Sequence, residues 1–173
     1  MSSAVHNNEG LREQFLRGMS RVASTVTVVT TAGEAGLHGV TISAMSSVSA
    51  DGERPTLLVC VHHRSAAAEA IRTNGRFAVN ILRAEESFVS EHFAGRVRGE
   101  DGDKFSCTDW EAGTTGQPRV AGALAAFDCV LASEQRIGTH HLFIGAVEEL
   151  YLGETGEPLI YSNRQYGRPA SIQ

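Results

Sequence analysis

Basic residues are scarce in this chain. Fifteen Lys and Arg stand against twenty Asp and Glu among 173 residues, a formal net charge of −5 at pH 7. With no cationic excess to neutralise phosphates, a general nucleic-acid binder is excluded, whereas a small anion held by a local cluster of donors is not. Cysteine is equally sparse. Cys60, Cys107 and Cys129 are odd in number, widely spaced and without a Cys-x-x-Cys pair, which argues against a disulfide framework or a zinc site. Cys60 (within Leu57–Val61) and Cys129 (within Phe127–Val130) read as small core residues. No apolar run approaches bilayer length, and residues 1–10 are polar, unlike a signal peptide. No membrane association and a reducing, cytoplasmic setting are therefore expected.

Several catalytic signatures are also missing. No Gly-x-Gly-x-x-Gly follows a strand, there is no Gly-x-x-x-x-Gly-Lys, and there is no Gly-x-Ser-x-Gly elbow. Of seven histidines, four form the adjacent pairs His62-His63 and His140-His141. Successive strand residues face opposite ways, so each pair should send one ring inward and one to solvent. No metal site is expected.

What is present is a chain of one-domain length, with eighteen glycines and only four prolines, suited to many short antiparallel strands. Residues 1–8 read as a flexible tail and 9–173 as a single domain. Leu11, Phe15, Leu16, Met19 and Val22 recur at helical spacing, predicting an amphipathic helix over Glu9–Val22. Thr25–Thr31 is rich in β-branched residues and reads as a strand with Val26 and Val28 on one face. Further strands are expected near 38–43, 56–61, 76–82, 123–135, 140–150 and 158–162. Helices are expected after Ser65, as an N-cap, and over Glu85–Phe93. Residues 94–117 read as a long surface excursion, and a polar tail follows Ser162. Strands broken by a few short helices indicate a mainly antiparallel sheet closed into a barrel.

Three segments carry chemistry. Gly39-Val40-Thr41-Ile42-Ser43-Ala44-Met45-Ser46-Ser47-Val48-Ser49 holds five hydroxyls and no charge. Two readings stand: a segment that brings hydroxyls and backbone N–H groups to a bulky polar ligand, or an edge strand and turn bonding itself. Ser65 either caps a helix or, with Arg64 and Lys104, helps hold an anion at the helix N-terminus. Gly138–Gly145 sets His140 beside a glycine bend, as an exposed strand residue or as a donor at a pocket mouth.

Together these segments resemble the short flavin reductases that serve two-component flavin-dependent monooxygenases. The similarity runs from about Leu11 to Arg168. It includes Met19–Thr31, Thr41–Ser49, Leu58–Val61 with Ser65 downstream, Phe77–Leu82, Asp103-Lys104-Phe105, Gly138-Thr139-His140, and Tyr161 with Tyr166. The resemblance implies a mainly β fold with short helices, an FMN-binding split β-barrel of Greek-key topology, usually a homodimer. It implies hydride transfer from NADH or NADPH to FMN or FAD, with reduced flavin passed to a separate oxygenase component. Thr41, Ser43, Ala44, Ser46, Ser47 and Val48 would line the flavin. Ser65 and Lys104 would match positions that hold its phosphate end, Phe105 would also bind the cofactor, and Arg164 and Tyr166 would close the site. His140 matches the histidine of a Gly-Asp-His motif and is the implied catalytic residue. Thr139 stands where that motif carries Asp, so a hydroxyl replaces a carboxylate there. Rival readings are a same-fold reductase of a metal complex or corrinoid, a non-catalytic flavin-binding dimer module, and a cupin-like metal barrel.

Overall fold

The computed structural model describes residues 2–99 and 102–172, with side chains from Glu9 onward. Helix α1 (Ser2–Met19) leads into β1 (Ser24–Thr25), β2 (Thr27–Thr31), β3 (His38–Ile42), β4 (Met45–Ser49) and β5 (Thr56–His62). Helix α2 (Ala66–Asn74) precedes β6 (Arg76–Ile81), and a 3-10 turn at Ala84–Glu86 leads into α3 (Ser87–Phe93). A second 3-10 turn at Lys104–Cys107 is followed by β7 (Trp110–Ala112), β8 (Pro118–Val120), β9 (Ala125–Ile137) and β10 (His140–Leu152). The chain closes with β11 (Ile160–Ser162) and β12 (Gln165–Gly167).

Seven strands form one antiparallel sheet in the order β3-β2-β6-β9-β10-β5-β4. Its edge strands, β3 and β4, are joined only by Ser43-Ala44, so the sheet must roll until its two ends meet there. The Ala44 carbonyl accepts the Cys60 N–H at 3.0 Å, but no ladder links β3 to β5. The result is mainly β with short helices beyond α1: a barrel split along the β3–β5 seam.

Alternation fills the barrel. Val29, Val59, Val61, Phe77, Val79 and Phe143 are fully buried and pack with Ala68 and Ile71 of α2, each large side chain contributing roughly 1.5–3 kcal/mol on burial. A Cβ on Gly145 would lie 2.6 Å from Phe77 Cζ and 2.7 Å from Cys129 Cβ, so glycine gives the Phe77 ring its room. A second cluster covers the outer face of β2 and β6. Val26, Val28, Leu82, Val89, Phe93 and Leu159 pack there with Phe105, Trp110, Tyr161 and Tyr166. Val26 and Val28 share this face as alternation predicts.

Some boundaries differ from the sequence reading. The first helix starts at Ser2 and ends at Met19, so helical backbone includes residues 2–8. The strand read over Thr25–Thr31 breaks at Val26, where the chain passes from the β1-β11-β12 sheet to the barrel. The 94–117 excursion contains a 3-10 turn and half of the β7–β8 hairpin, which no period-2 pattern announces. Strand β12 lies in the expected polar tail.

Candidate active site

Above Met45, β4 no longer covers β5, and the outer faces of Cys60 and His62 look across the split toward β3. A cavity of about 260 Å³ opens there, lined by Val40, Thr41, Ser43, Cys60, His62 and His140. A second, of about 160 Å³, is bordered by Thr41, Ser43, Ser90, Arg96, Tyr161 and Tyr166. A third, of about 380 Å³, runs past Ser20, Val22, Ser43, Ala44, Tyr161 and Arg164. Ser43 borders all three. Sharing Ser43 as a common wall, the three together make up the cleft at the Ser43-Ala44 corner.

The hydroxyl-rich segment therefore splits its work. Thr41, Ser43 and Ala44 line the cleft, with Thr41 Oγ1 donating to the Ser90 carbonyl at 2.7 Å. Ser46, Ser47 and Val48 lie on edge strand β4. Ser46 Oγ bonds the Ser47 carbonyl at 3.1 Å, while Ser47 and Val48 border a different cavity, of about 230 Å³, with Pro55, Leu57 and Phe127. The first half of the segment borders the cleft, and the second half is edge strand.

Lys104 Nζ donates to the Gly39 carbonyl of edge strand β3 at 2.7 Å and sits 5.3 Å from the centroid of the Phe93 ring. Burial pulls its pKa down. One bond leaves donor capacity on the ammonium beside the Val40 end of the cleft. Phe105 packs in an aromatic cluster, 4.9 Å from each of Phe93 and Trp110. Ser65 occupies the N-cap of α2, but its hydroxyl makes no capping bond, contrary to the expected cap. Its backbone N–H is held at 2.9 Å by the His62 carbonyl, which keeps the α2 N-terminus next to the His62 end of the cleft. The Tyr166 hydroxyl bonds Ser90 Oγ at 2.9 Å. Burial raises the Tyr166 pKa, so it enters the cleft as a neutral phenol. Arg164 reaches the cleft from the β11–β12 turn, where Asn163 and Arg164 both have positive φ, 49° and 62°. That is a type I′ turn, in which a non-glycine second residue is strained.

The β9–β10 hairpin places the histidine. Gly138, with φ 57°, supplies the left-handed first residue of a two-residue turn. Thr139 follows, its Oγ1 3.1 Å from His140 Nδ1. His140 is exposed at the cleft, whereas His141 is buried, stacked on Phe143 and bonded to Glu134 at 2.5 Å. That pair divides as alternation requires. His62 and His63 do not: β5 ends at His62, and the two rings stack at 4.8 Å.

Cys60 is corrected as well. It is half-buried on the outer face and lines the cleft, because the split leaves that face of β5 without a covering layer. Burial raises its pKa, so it presents a neutral thiol. Cys129 is the core residue expected, its pKa pushed up to about 12 by burial. The sequence reading missed His62, Ser90 and Arg96 as cleft residues. Arg96 pairs with Glu91 at 2.8 Å, and nothing in its glycine-rich, charged surroundings distinguishes it from a solvated residue. The adjacency of His62 to His63 was its one signal.

These side chains fit a flavin. Uncharged hydroxyls and backbone line the corner, apolar Ile42 and Ala44 border it, cations line it at Arg96 and Arg164, and Lys104 is bonded to Gly39, the residue before Val40 in β3. Comparison with known proteins agrees. A family model described as a flavin reductase like domain matches residues 19–170. The FMN reductase (NADH) RutF of Ancylobacter novellus is 40% identical over 155 residues, 90% of this chain and 83% of that protein. The 4-hydroxyphenylacetate 3-monooxygenase reductase component of Salmonella typhimurium is 35% identical over 155 residues, 90% of each chain. Among solved structures, the NADH:FAD oxidoreductase SgcE6 of Streptomyces globisporus C-1027 matches with a TM-score of 0.82 at 29% identity, over 94% of this chain and 90% of that one. The chain belongs to the flavin reductase like family and is an oxidoreductase of that class.

Proposed function

We propose that this enzyme reduces FMN with NADH and releases the reduced flavin to a separate oxygenase component. The observation that carries the reading is the cleft at Ser43, formed where the barrel is split and bordered by groups from β3, β5, β10, α3 and the β11–β12 hairpin. When bound, flavin supplies the two-electron acceptor, and the protein contributes binding, orientation and exclusion of water.

Thr41 and Ser43 offer hydroxyls and backbone to the ring system, and Lys104 with the Ser65 end of α2 offers positive charge to a phosphate. His140 faces the reduced nicotinamide. Thr139 engages its Nδ1, which leaves Nε2 as the free polar atom of that ring. No protein nucleophile is needed, in keeping with the neutral Cys60 thiol. A homodimer is part of the proposal. Leu58, Leu142 and Ile144 lie half-buried on the outer face of β5 and β10, and Leu11 and Phe15 of α1 are 64% and 63% exposed. A second copy would cover both surfaces. The proposed setting is the cytoplasm; no described helix is long and apolar enough to cross a membrane.

The test follows NADH absorbance with FMN, FAD or riboflavin as acceptor. Turnover with FMN exceeding that with riboflavin supports the reading. Tight flavin binding without NADH oxidation would instead mark a flavin-binding module.

A further inference from the structure

The proposed site contains a second imidazole. His62 and His140 are register partners across the β5–β10 ladder, so both project from the same face of the sheet. Their rings meet edge to face at 5.1 Å and both border the cleft. His62 is itself held from two other sides. Its Nδ1 accepts the Arg64 backbone N–H at 3.1 Å, and its ring stacks on His63 at 4.8 Å and 25°. An Nδ1 that accepts leaves the ring proton on Nε2 in the neutral side chain. His140, by contrast, stands at the first position of β10, exposed, with Thr139 Oγ1 as its hydrogen-bond partner. On the β5 side, the His62 ring is the aromatic neighbour of His140. A side chain that must meet a ligand in one orientation is better fixed by a packed neighbour than by one turn hydroxyl.

We propose that His62 is a positioning residue of this site, holding the His140 imidazole at the cleft so that the pair, rather than His140 alone, receives the nicotinamide ring. This rests on the reading of His140 given above. It also gives the paired histidines His62-His63 a purpose that metal binding does not, since no group of ligands able to hold a metal ion occurs among the described residues. His63 serves as backing for His62, and Cys60, two residues earlier on the same face of β5, borders the same wall of the cleft.

The experiment measures the dissociation constant of oxidised NAD⁺, which does not react, by calorimetry on the flavin-loaded protein. Flavin affinity is read in parallel by fluorescence quenching. His62→Ala is expected to weaken NAD⁺ about tenfold and to leave flavin affinity within about twofold, a loss typical of one misplaced ligand contact. His62→Asn, which keeps an acceptor for the Arg64 N–H and a planar group beside His140, is expected to recover most of the loss. His140→Ala combined with His62→Ala should cost little more than His140→Ala alone, the signature of residues acting as a unit. Additive losses, or an NAD⁺ affinity unchanged in His62→Ala, would overturn the proposal. Loss of thermal stability in His62→Ala with NAD⁺ affinity intact would make His62 structural only and overturn it too. If His140→Ala itself leaves NAD⁺ binding unchanged, the failure lies in the reading of His140, and the proposal falls with it.

Discussion

The hydroxyl of Thr139 lies 3.1 Å from Nδ1 of His140, bonding the ring from the residue directly before it. The hydroxyl orients the imidazole without adding a charge beside it. Thr139→Val keeps shape and β-branching but removes the partner. It is expected to raise KM for NADH about fivefold, the value of one neutral hydrogen bond, with kcat at saturation nearly unchanged. Thr139→Ser should behave as the wild type. Steady-state kinetics of the three proteins, with equal KM values throughout, would remove Thr139 from the site.

Lys104 is the cation proposed to meet a phosphate. Lys104→Met preserves a chain of similar length over Phe93 and deletes the ammonium. FMN affinity is expected to fall by about tenfold or more, as for a hydrogen bond to a charged group. Riboflavin has no phosphate, and its affinity should not move. Parallel flavin titrations check this, and an equal loss for both would assign Lys104 to structure alone.

Arg164 holds a φ of 62° in a turn position that suits glycine. Arg164→Gly relieves that strain, and a gain of up to about 1 kcal/mol in stability is expected. The same change removes a cation from the cleft and should weaken flavin binding. Urea denaturation and flavin titration should therefore move in opposite directions. Loss of both would show that the turn does not tolerate the exchange.

Glu148 contributes to the pH dependence of folding. Its carboxylate accepts from Arg76 Nη1 and, at 2.5 Å, from Arg54 Nη1. The Arg76 bond, with help from Arg54 and against partial desolvation, holds its pKa below the ordinary 4.5. A carboxylate with a lowered folded-state pKa adds stability above its unfolded value, and that stability is lost as pH falls through the folded value. Glu148→Gln is accordingly expected to lower the urea midpoint at neutral pH, the gap closing as pH drops below 4.5. A gap independent of pH would exclude this ion pair as its cause.

Periodicity made the barrel legible because its strands bury one face. Val26 with Val28, and His141 with Phe143, fall where alternation places them. Of the residues expected to line a ligand, Thr41, Ser43, His140 and Tyr166 border cavities that share Ser43. Ser47 and Val48 border a separate one, since sequence proximity to Ser43 says nothing of the corner at which β3 gives way to β4. Arg96 and His62 enter the cleft through long-range topology, which leaves no local pattern to read. Cys60 misled for the same reason. Its apolar neighbours describe a core strand, and only the missing ladder opens its outer face.

That missing ladder also leaves room for a ligand to act as a brace. A molecule laid along the split would bridge two strand edges that no ladder joins, and every such contact would be lost on unfolding. Protection then grows with the logarithm of free ligand, reaching about 2.7 kcal/mol at a hundredfold excess over Kd. Were flavin the molecule held across that split, as proposed, its titration would raise the melting temperature in step with the logarithm of free flavin.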